Sequence, residues 1–545
     1  MDPRRLRAPK DDGALLCEPP WESLPALARA NAQSLERPSI EIQGRRLDSL
    51  RRLAREELLE ASRSFHHALG LDSPAPPATG LPWLMTGHQP ELSHPGVWAK
   101  TVAAGNLARR AEVVAVNLIV DDDVPKSPGI RVPCGDPPNL RAEFVPFAST
   151  SGDAPYESWR IDNSALFEQF GPSISHHLRP IHNDPIIAEF WPSVLARREA
   201  SDRIGWLFAA ARHALDHTRF GARLWDVPQS ALCETESFAW FLAHILANLS
   251  QFQRVHNRAL DQYRAANRIR STQHPVPSLE RENHEWLEAP FWVWRDGAPR
   301  RQSLWARLRG CTMELRLARE AEPFLDLPLC PGRDATEAVD RLRELPGRGI
   351  RLRTRALTTT LFARWYLGDL FVHGIGGAKY DELGDEIARA FYAAPPPAFA
   401  TLSLTAWLGL PVDPTIPEQL HELDRKLRET RFHAEFFLPA ERIHDLVVAK
   451  KEAIAAPVAT RRDRRERWRR LRDTNEALAR HAEPIRLALA ARRDRLSQSL
   501  APAELARSRD WSFVLHGEAR IRNAFAPFLR ASPAAIVHPG EMPKA

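Results

Sequence analysis

The chain has 545 residues, more than a single growing core supports, so two or three structural units are expected. Hydrophobic residues make up 43% and charged residues 26%, an ordinary globular balance, and no apolar run reaches the ~18 residues that cross a bilayer. The net charge of +6 is dispersed, and the densest basic run, Arg461 to Arg472, also carries Asp463 and Glu466, so a solvated helix face is read there and neither a nucleic-acid nor a membrane partner is expected.

The amino terminus, Met-Asp-Pro-Arg-Arg, lacks the apolar core of a secretory signal, and a cytoplasmic location is expected. The five cysteines are scattered without a Cys-x-x-Cys pair, which argues for reduced, structural thiols. Only eight of the 75 basic residues are lysine, and between residues 11 and 425 just Lys100, Lys126 and Lys379 remain. All three fall in or beside the motifs below, which marks them as positions where a compact ammonium serves and a guanidinium does not.

In chain order, residues 1–80 read as a helical leader. An irregular stretch with short helical pieces over 1–44 is followed by an amphipathic helix from Arg45 to Leu69 and a proline-rich linker. Residues 81–150 read as the first part of an α/β core. Trp83 to Met85 is a short strand, Pro95 to about Arg110 a helix opened by proline, and Val113 to Val120 a strand apolar throughout except Asn117. Ala142 to Phe147 suggests a third strand, and Pro125 to Pro138 reads as irregular. Residues 151–345 read as a mostly helical insert with a small β-rich piece over 286–320. Residues 346–412 bring back the core, with a helix from Ala356, a strand Leu370 to His373, a sharp glycine turn and a further strand from Phe399 to Leu404. Residues 413–545 read as helical. Trp468, Leu471, Asn475, Leu478, Ala482, Ile485 and Leu489 recur at three- and four-residue steps, the seam of a coiled coil that either packs within one chain or joins two subunits as a homodimer. The expected fold class is therefore α/β, a Rossmann-like doubly wound core with helical inserts and a carboxyl-terminal helical coiled coil.

Three clusters carry chemistry. Thr86-Gly87-His88-Gln89, with His94, lies between a strand and a helix, where N–H groups favour anions and histidines bind phosphate or exchange protons. Asp121-Asp122-Asp123 with Lys126 ends a buried strand, where carboxylates need a cation, an amine or a metal. Alternation along an extended chain would bring Asp121 and Asp123 together and turn Asp122 away. The third, His373-Gly374-Ile375-Gly376-Gly377-Ala378-Lys379-Tyr380, is preceded by Arg353 and Arg355, and its glycines let backbone approach a ligand. It is neither a P-loop nor a full GxGxxG. On this reading His88, Asp121 and Asp123 transfer protons or bind an amine. Lys100, Lys126, Lys379 and Arg355 bind anions, while Gly87, Gly374, Gly376 and Gly377 give backbone access.

Together these residues resemble the bacillithiol-biosynthesis cysteine-adding enzymes, which have a Thr-Gly-Gln-Gln loop, an acidic Glu-Asp-His-Asp strand end and a Gly-Gly-Pro-Gly-Glu turn in the same order. The resemblance implies a Rossmann-like nucleotidyltransferase core and a ligase-like reaction that joins cysteine, or another amino acid, to an amino-sugar conjugate. Here His88 replaces the family's first Gln, Asp123 its His, and Ala378-Lys379 its Gly-Glu. The family's carboxyl-terminal Gln-Glu-Arg motif is not evident from Arg509 to Arg522. A nucleotide such as ATP is an open cofactor candidate, and no residue is assigned to a resident metal. Two rival readings stay open: nucleotidyl transfer with Mg²⁺ on the aspartates, and a non-catalytic ligand-binding core with a coiled-coil assembly module.

Overall fold

The computed structural model describes residues 6–529 apart from 37–39, 111, 137–138, 151, 183 and 319. Its centre is a six-stranded sheet. In chain order the strands are β1 (Leu15–Glu18), β2 (Trp83–His88), β3 (Val114–Ile119), β4 (Trp225–Pro228), β5 (Leu370–His373) and β6 (Ala400–Leu404). Their spatial order is β1-β6-β5-β2-β3-β4, parallel throughout except that β1 runs antiparallel to β6. From β2 the chain winds outward through β3 to β4, then returns to the other side of β2 and winds outward again through β5 to β6. The loops after β2 and β5 therefore leave in opposite directions, and parallel sheets bind ligands in the crevice this opens.

Period-two alternation explains why this sheet is buried on both faces. Trp83, Met85, Val114, Val116 and Phe371 point into one apolar core, and Leu84, Ala115, Leu370 and Val372 into the other. Helix α1 (Leu47–Ala68) packs on the first face. Helices α2 (Pro95–Arg109) and α3 (Ile204–Phe220) cover the second.

Several expectations are corrected. The leader, expected to be irregular with short helical pieces, contributes the strand β1 beside its helix Leu24–Glu36. The third core strand is β4, inside the stretch read as a helical insert; four residues ending in Pro228 carry too little alternation to be seen. Arg141–Pro146 is a strand outside the main sheet, paired antiparallel with Gly129–Cys134, which the proline content had hidden. The β-rich piece extends beyond 286–320. Its five-stranded antiparallel path also takes in Leu325–Pro328 and Ile350–Thr354, so Arg353 belongs to this second sheet and not to the parallel one. The expected glycine turn is already helix, because α4 (Ile375–Tyr392) starts directly after Gly374.

Between residues 416 and 529 the chain is mostly helical, as expected. Ile416–Phe432 packs against Glu483–Ser497, and Ala440–Ala455 against Arg461–His481. Along the expected seam Leu478 and Ala482 are buried, but Trp468 is 63% exposed. The helix ends at His481 and restarts at Glu483, with Pro484 in the new first turn. No helix among the described residues is long and apolar enough to cross a membrane.

Candidate active-site cavity

A cavity of about 850 Å³ opens at the carboxyl edge of the parallel sheet, where the winding reverses. The three sequence clusters, separated by up to several hundred residues, supply much of its wall. Thr86, Asp121, Lys126 and Arg353 lie outside that wall; the other predicted residues line it.

The loop after β2 carries His88 and Gln89. Burial, followed by the nearby Lys100 ammonium, pushes His88 down to about 3, so its ring is neutral at physiological pH and a weak base. Gln89 Nε2 donates to Asp123 Oδ2 at 2.8 Å. His94 caps α2 with its own ring, Nδ1 accepting from the Gly96 N–H at 3.1 Å, and burial followed by Arg509 lowers it to about 4. Lys100, on α2, is 3% exposed, and its Nζ donates to the Gly87 carbonyl at 2.7 Å. No carboxylate lies within ion-pair distance of it among the described residues, and burial lowers it to about 8.

The aspartates divide differently from the expected alternation, because β3 ends at Ile119 and residues 121–123 are no longer extended strand. Asp121 is fully buried away from the cavity. Its carboxylate accepts from the Ser230 N–H at 2.8 Å, the Ser230 hydroxyl at 2.6 Å and Trp206 Nε1 at 3.0 Å. Burial, followed by Glu157, raises it to about 6. Its saturated oxygens make it a structural group, contrary to the catalytic role expected. Asp122 does reach the cavity, and Gln229 Nε2 donates to its Oδ2 at 3.0 Å. Burial and then Asp121 push Asp122 well above the usual carboxylate range. Asp123 is ionically paired with Arg301 at 2.9 Å.

Arg353, expected among the substrate-binding residues, is 1% exposed and forks onto Glu157 through two 2.8 Å bonds, with Glu234 at 2.9 Å. Lys126 is exposed outside the wall, and the Thr86 hydroxyl donates to the Val372 carbonyl at 3.1 Å, tying β2 to β5.

On the opposite wall, α4 points its amino terminus at the cavity. Its first intrahelical bond runs from the Ala378 N–H to the Gly374 carbonyl, so the N–H groups of residues 375–377 have no acceptor within the helix. A Cβ at Gly374 or Gly376 would meet nothing within 4 Å, which leaves this backbone open to a ligand. Gly377 serves another purpose, since a Cβ there would lie 2.8 Å from His373 Nδ1. Gly87 is equally a packing glycine, 3.0 Å from the Leu118 carbonyl. His373 is buried and paired through Nε2 with Asp381 at 2.6 Å. Burial alone would raise Asp381, but His373 and Arg364 more than offset it and hold the carboxyl well below its usual range.

Four further residues escaped the sequence reading. Arg301 and Trp292 come from the antiparallel sheet, with the Arg301 guanidinium 5.0 Å and the Arg355 guanidinium 4.1 Å from the Trp292 ring centroid. Arg509 reaches in from the carboxyl-terminal region, its Nη2 donating to Ser403 Oγ at 3.0 Å. Gln229 follows β4 and would have been visible only if that strand had been. The wall is thus cationic: Arg7, Lys100, Arg301, Arg355, Lys379 and Arg509 line it with Asp122 and Asp123, Arg301 being paired with Asp123 and Arg355 with Glu288. Such a cavity favours an anionic ligand. Compared with protein-family models and with curated proteins, the chain matches none.

Proposed function

We propose that the chain is an enzyme with a Rossmann-like core that joins an amino acid to an amine-bearing small molecule, the reaction type of the bacillithiol cysteine-adding family it resembles. The observation that carries this reading is the meeting of the β2 loop, the β3 end and the α4 amino terminus in one cationic cavity at the reversal of winding. In this reading a carboxylate or phosphate sits on the open N–H groups of α4, with Lys379 and Lys100 supplying charge. Asp123, oriented by Gln89 and Arg301, receives the substrate amine. Neutral His88 accepts a hydrogen bond from the amine, and the proton the amine loses passes to solvent.

A nucleotide such as ATP fits this wall, because the glycines of α4 leave backbone open and the lining is cationic. Bound there, it would supply the activation that a free carboxylate needs. Mg²⁺ on the three aspartates fits poorly. Ser230 and Trp206 occupy Asp121, Gln229 bonds Asp122, and Gln89 and Arg301 occupy Asp123. That donor set weighs against metal-dependent nucleotidyl transfer through these residues. Exposed Phe432, Phe436, Ile454 and Trp468 on the carboxyl-terminal helices support self-association of two chains through a coiled-coil-type contact.

The test is mass spectrometry of the chain incubated with cysteine, ATP and a glucosaminyl-malate acceptor. The expected product has the mass of acceptor plus cysteine minus water, and it disappears in His88→Ala and Lys379→Ala. If high enzyme concentrations yield no product from any amino acid, and neither phosphate nor ATP raises the melting temperature, the reading fails.

A further inference from the structure

Behind the sheet, away from the cavity, side chains from three distant elements meet in the interior. His66 of α1, His213 of α3 and Asp226 of β4 are 0%, 5% and 0% exposed. Each offers one ligand atom, and the three atoms lie within 4.8 Å of one another.

The neighbours assign the atoms. His66 Nδ1 lies 3.0 Å from the Ser73 hydroxyl, while Nε2 is buried without any hydrogen-bond partner. His213 Nε2 lies 3.2 Å from the Asp72 carbonyl. A carbonyl only accepts, so this nitrogen carries a proton and Nδ1 is left facing Asp226 Oδ2 at 2.6 Å. Asp226 Oδ1 accepts from Asn117 Nδ2 at 2.6 Å and from Arg212, leaving Oδ2. On every member, the polar atom turned away from the group is held by a neighbour. Outer partners of this kind fix the tautomer and orientation of metal-ligating side chains.

We infer that His66 Nε2, His213 Nδ1 and Asp226 Oδ2 form a binding site for one divalent transition-metal ion, with Zn²⁺ the best match to two imidazoles and a carboxylate. Binding replaces the proton between His213 and Asp226. The Nδ1 proton leaves to solvent, the nitrogen and oxygen lone pairs go to the ion, and nothing is oxidised or reduced. The 2.6 Å hydrogen bond then opens as both atoms take metal bonds of about 2.0–2.2 Å. A water completes the shell. Arg212 stays on Oδ1 and on Asp216, so the carboxylate remains ionised with the metal in place. The ion would clamp α1 and α3 to the edge strand of the sheet, and ligand binding to the native state alone stabilises the fold. The site shares no ligand with the cavity and does not depend on the reaction proposed there. Its residues span 160 positions without the short spacing that marks a metal motif, so the sequence did not show it.

The test uses the full chain, stripped with a chelator, given one equivalent of Zn²⁺ and desalted. It is expected to retain one ion, melt at a higher temperature, and show two imidazoles and oxygen in the zinc X-ray absorption spectrum. His66→Gln is expected to lose retention, and Ser73→Ala to weaken binding by about 10- to 100-fold. His88→Gln, in the cavity, is expected to leave the stoichiometry unchanged. The inference is overturned if folded wild-type chain retains no zinc, if His66→Gln retains it equally, if His88→Gln is the variant that loses it, or if sulfur appears in the zinc shell. Should His66→Gln fail to fold, the wild-type absorption spectrum decides alone.

Discussion

The buried ion pairs outside the cavity and the unpaired cations of its wall draw on the same residue types and leave them in opposite states. Among the first, Arg353 is forked onto Glu157, Arg364 reaches Asp381 and Asp385, and Asp369 takes both Arg51 and Arg55. At the edge, Lys100, Lys379 and Arg509 have no carboxylate within ion-pair distance among the described residues. Desolvation must be offset in both places. In the first region the protein supplies the counter-charge; in the second it leaves that to a ligand. Partner saturation, more than residue type, separates a structural charge from a functional one.

The comparison is broken most severely by removing one partner from the saturated set. Arg353→Ala strands the Glu157 carboxylate, 10% exposed, and is expected to destabilise by about 3–5 kcal/mol, measured by urea unfolding. An equally stable variant would place Arg353 outside the structural set.

Lys100→Met tests the other region and should have the opposite sign. Burial lowers Lys100 from 10.5 to about 8. The native state therefore binds this proton less readily than the unfolded chain, which costs about 3 kcal/mol below pH 8. As pH rises from 8 to 10.5, the unfolded chain holds more protons than the native one and stability climbs, until the penalty is gone. In Lys100→Met that climb should vanish, while phosphate or ATP binding weakens about 10- to 100-fold, the loss of a charge-assisted hydrogen bond. In the wild type, binding should fall through pH 8. Flat stability and unchanged binding would refute the unpaired-cation account.

Glycines sharpen the contrast at a smaller scale. Gly96→Ala would press a Cβ to 2.3 Å from the Leu404 carbonyl, an overpacking expected to cost about 1–3 kcal/mol. Gly376→Ala meets open space and should leave unfolding unchanged while reducing anion binding. Thermal melts with and without phosphate measure both.

How much of this was legible follows the same division. Strand ends, glycines and lone lysines are local signals, and they mark most of the cavity in the sequence alone. Whether a side chain is saturated depends on partners far away in sequence. Asp121 and Asp123 looked alike, yet Ser230 and Trp206 claim the first and leave the second for the cavity. Arg353 and Arg355 lie two residues apart and both are ion-paired, yet only Arg355, held by Glu288 and lying over the Trp292 ring, lines the cavity. That sheet was underestimated, so Arg301 was missed with it. β4 was missed because four strand residues ending in proline carry almost no periodic signal, and Gln229 and Asp226 were lost with it.

The smallest expected effect lies in the carboxyl-terminal helices. Trp468 is 63% exposed and Phe436 78% exposed, so replacing both with serine removes little buried surface, and unfolding should move by less than about 0.5 kcal/mol. Single exposed apolar side chains are normal on a monomer, but among the described residues seven of the nine large ones lie between residues 432 and 487. If they meet a second chain, the serine variant should sediment as a monomer where the wild type sediments as a dimer, with cavity binding intact in both. Identical sedimentation would leave this apolar face as solvent-exposed surface, and the self-association proposed for it would fail without touching the cavity.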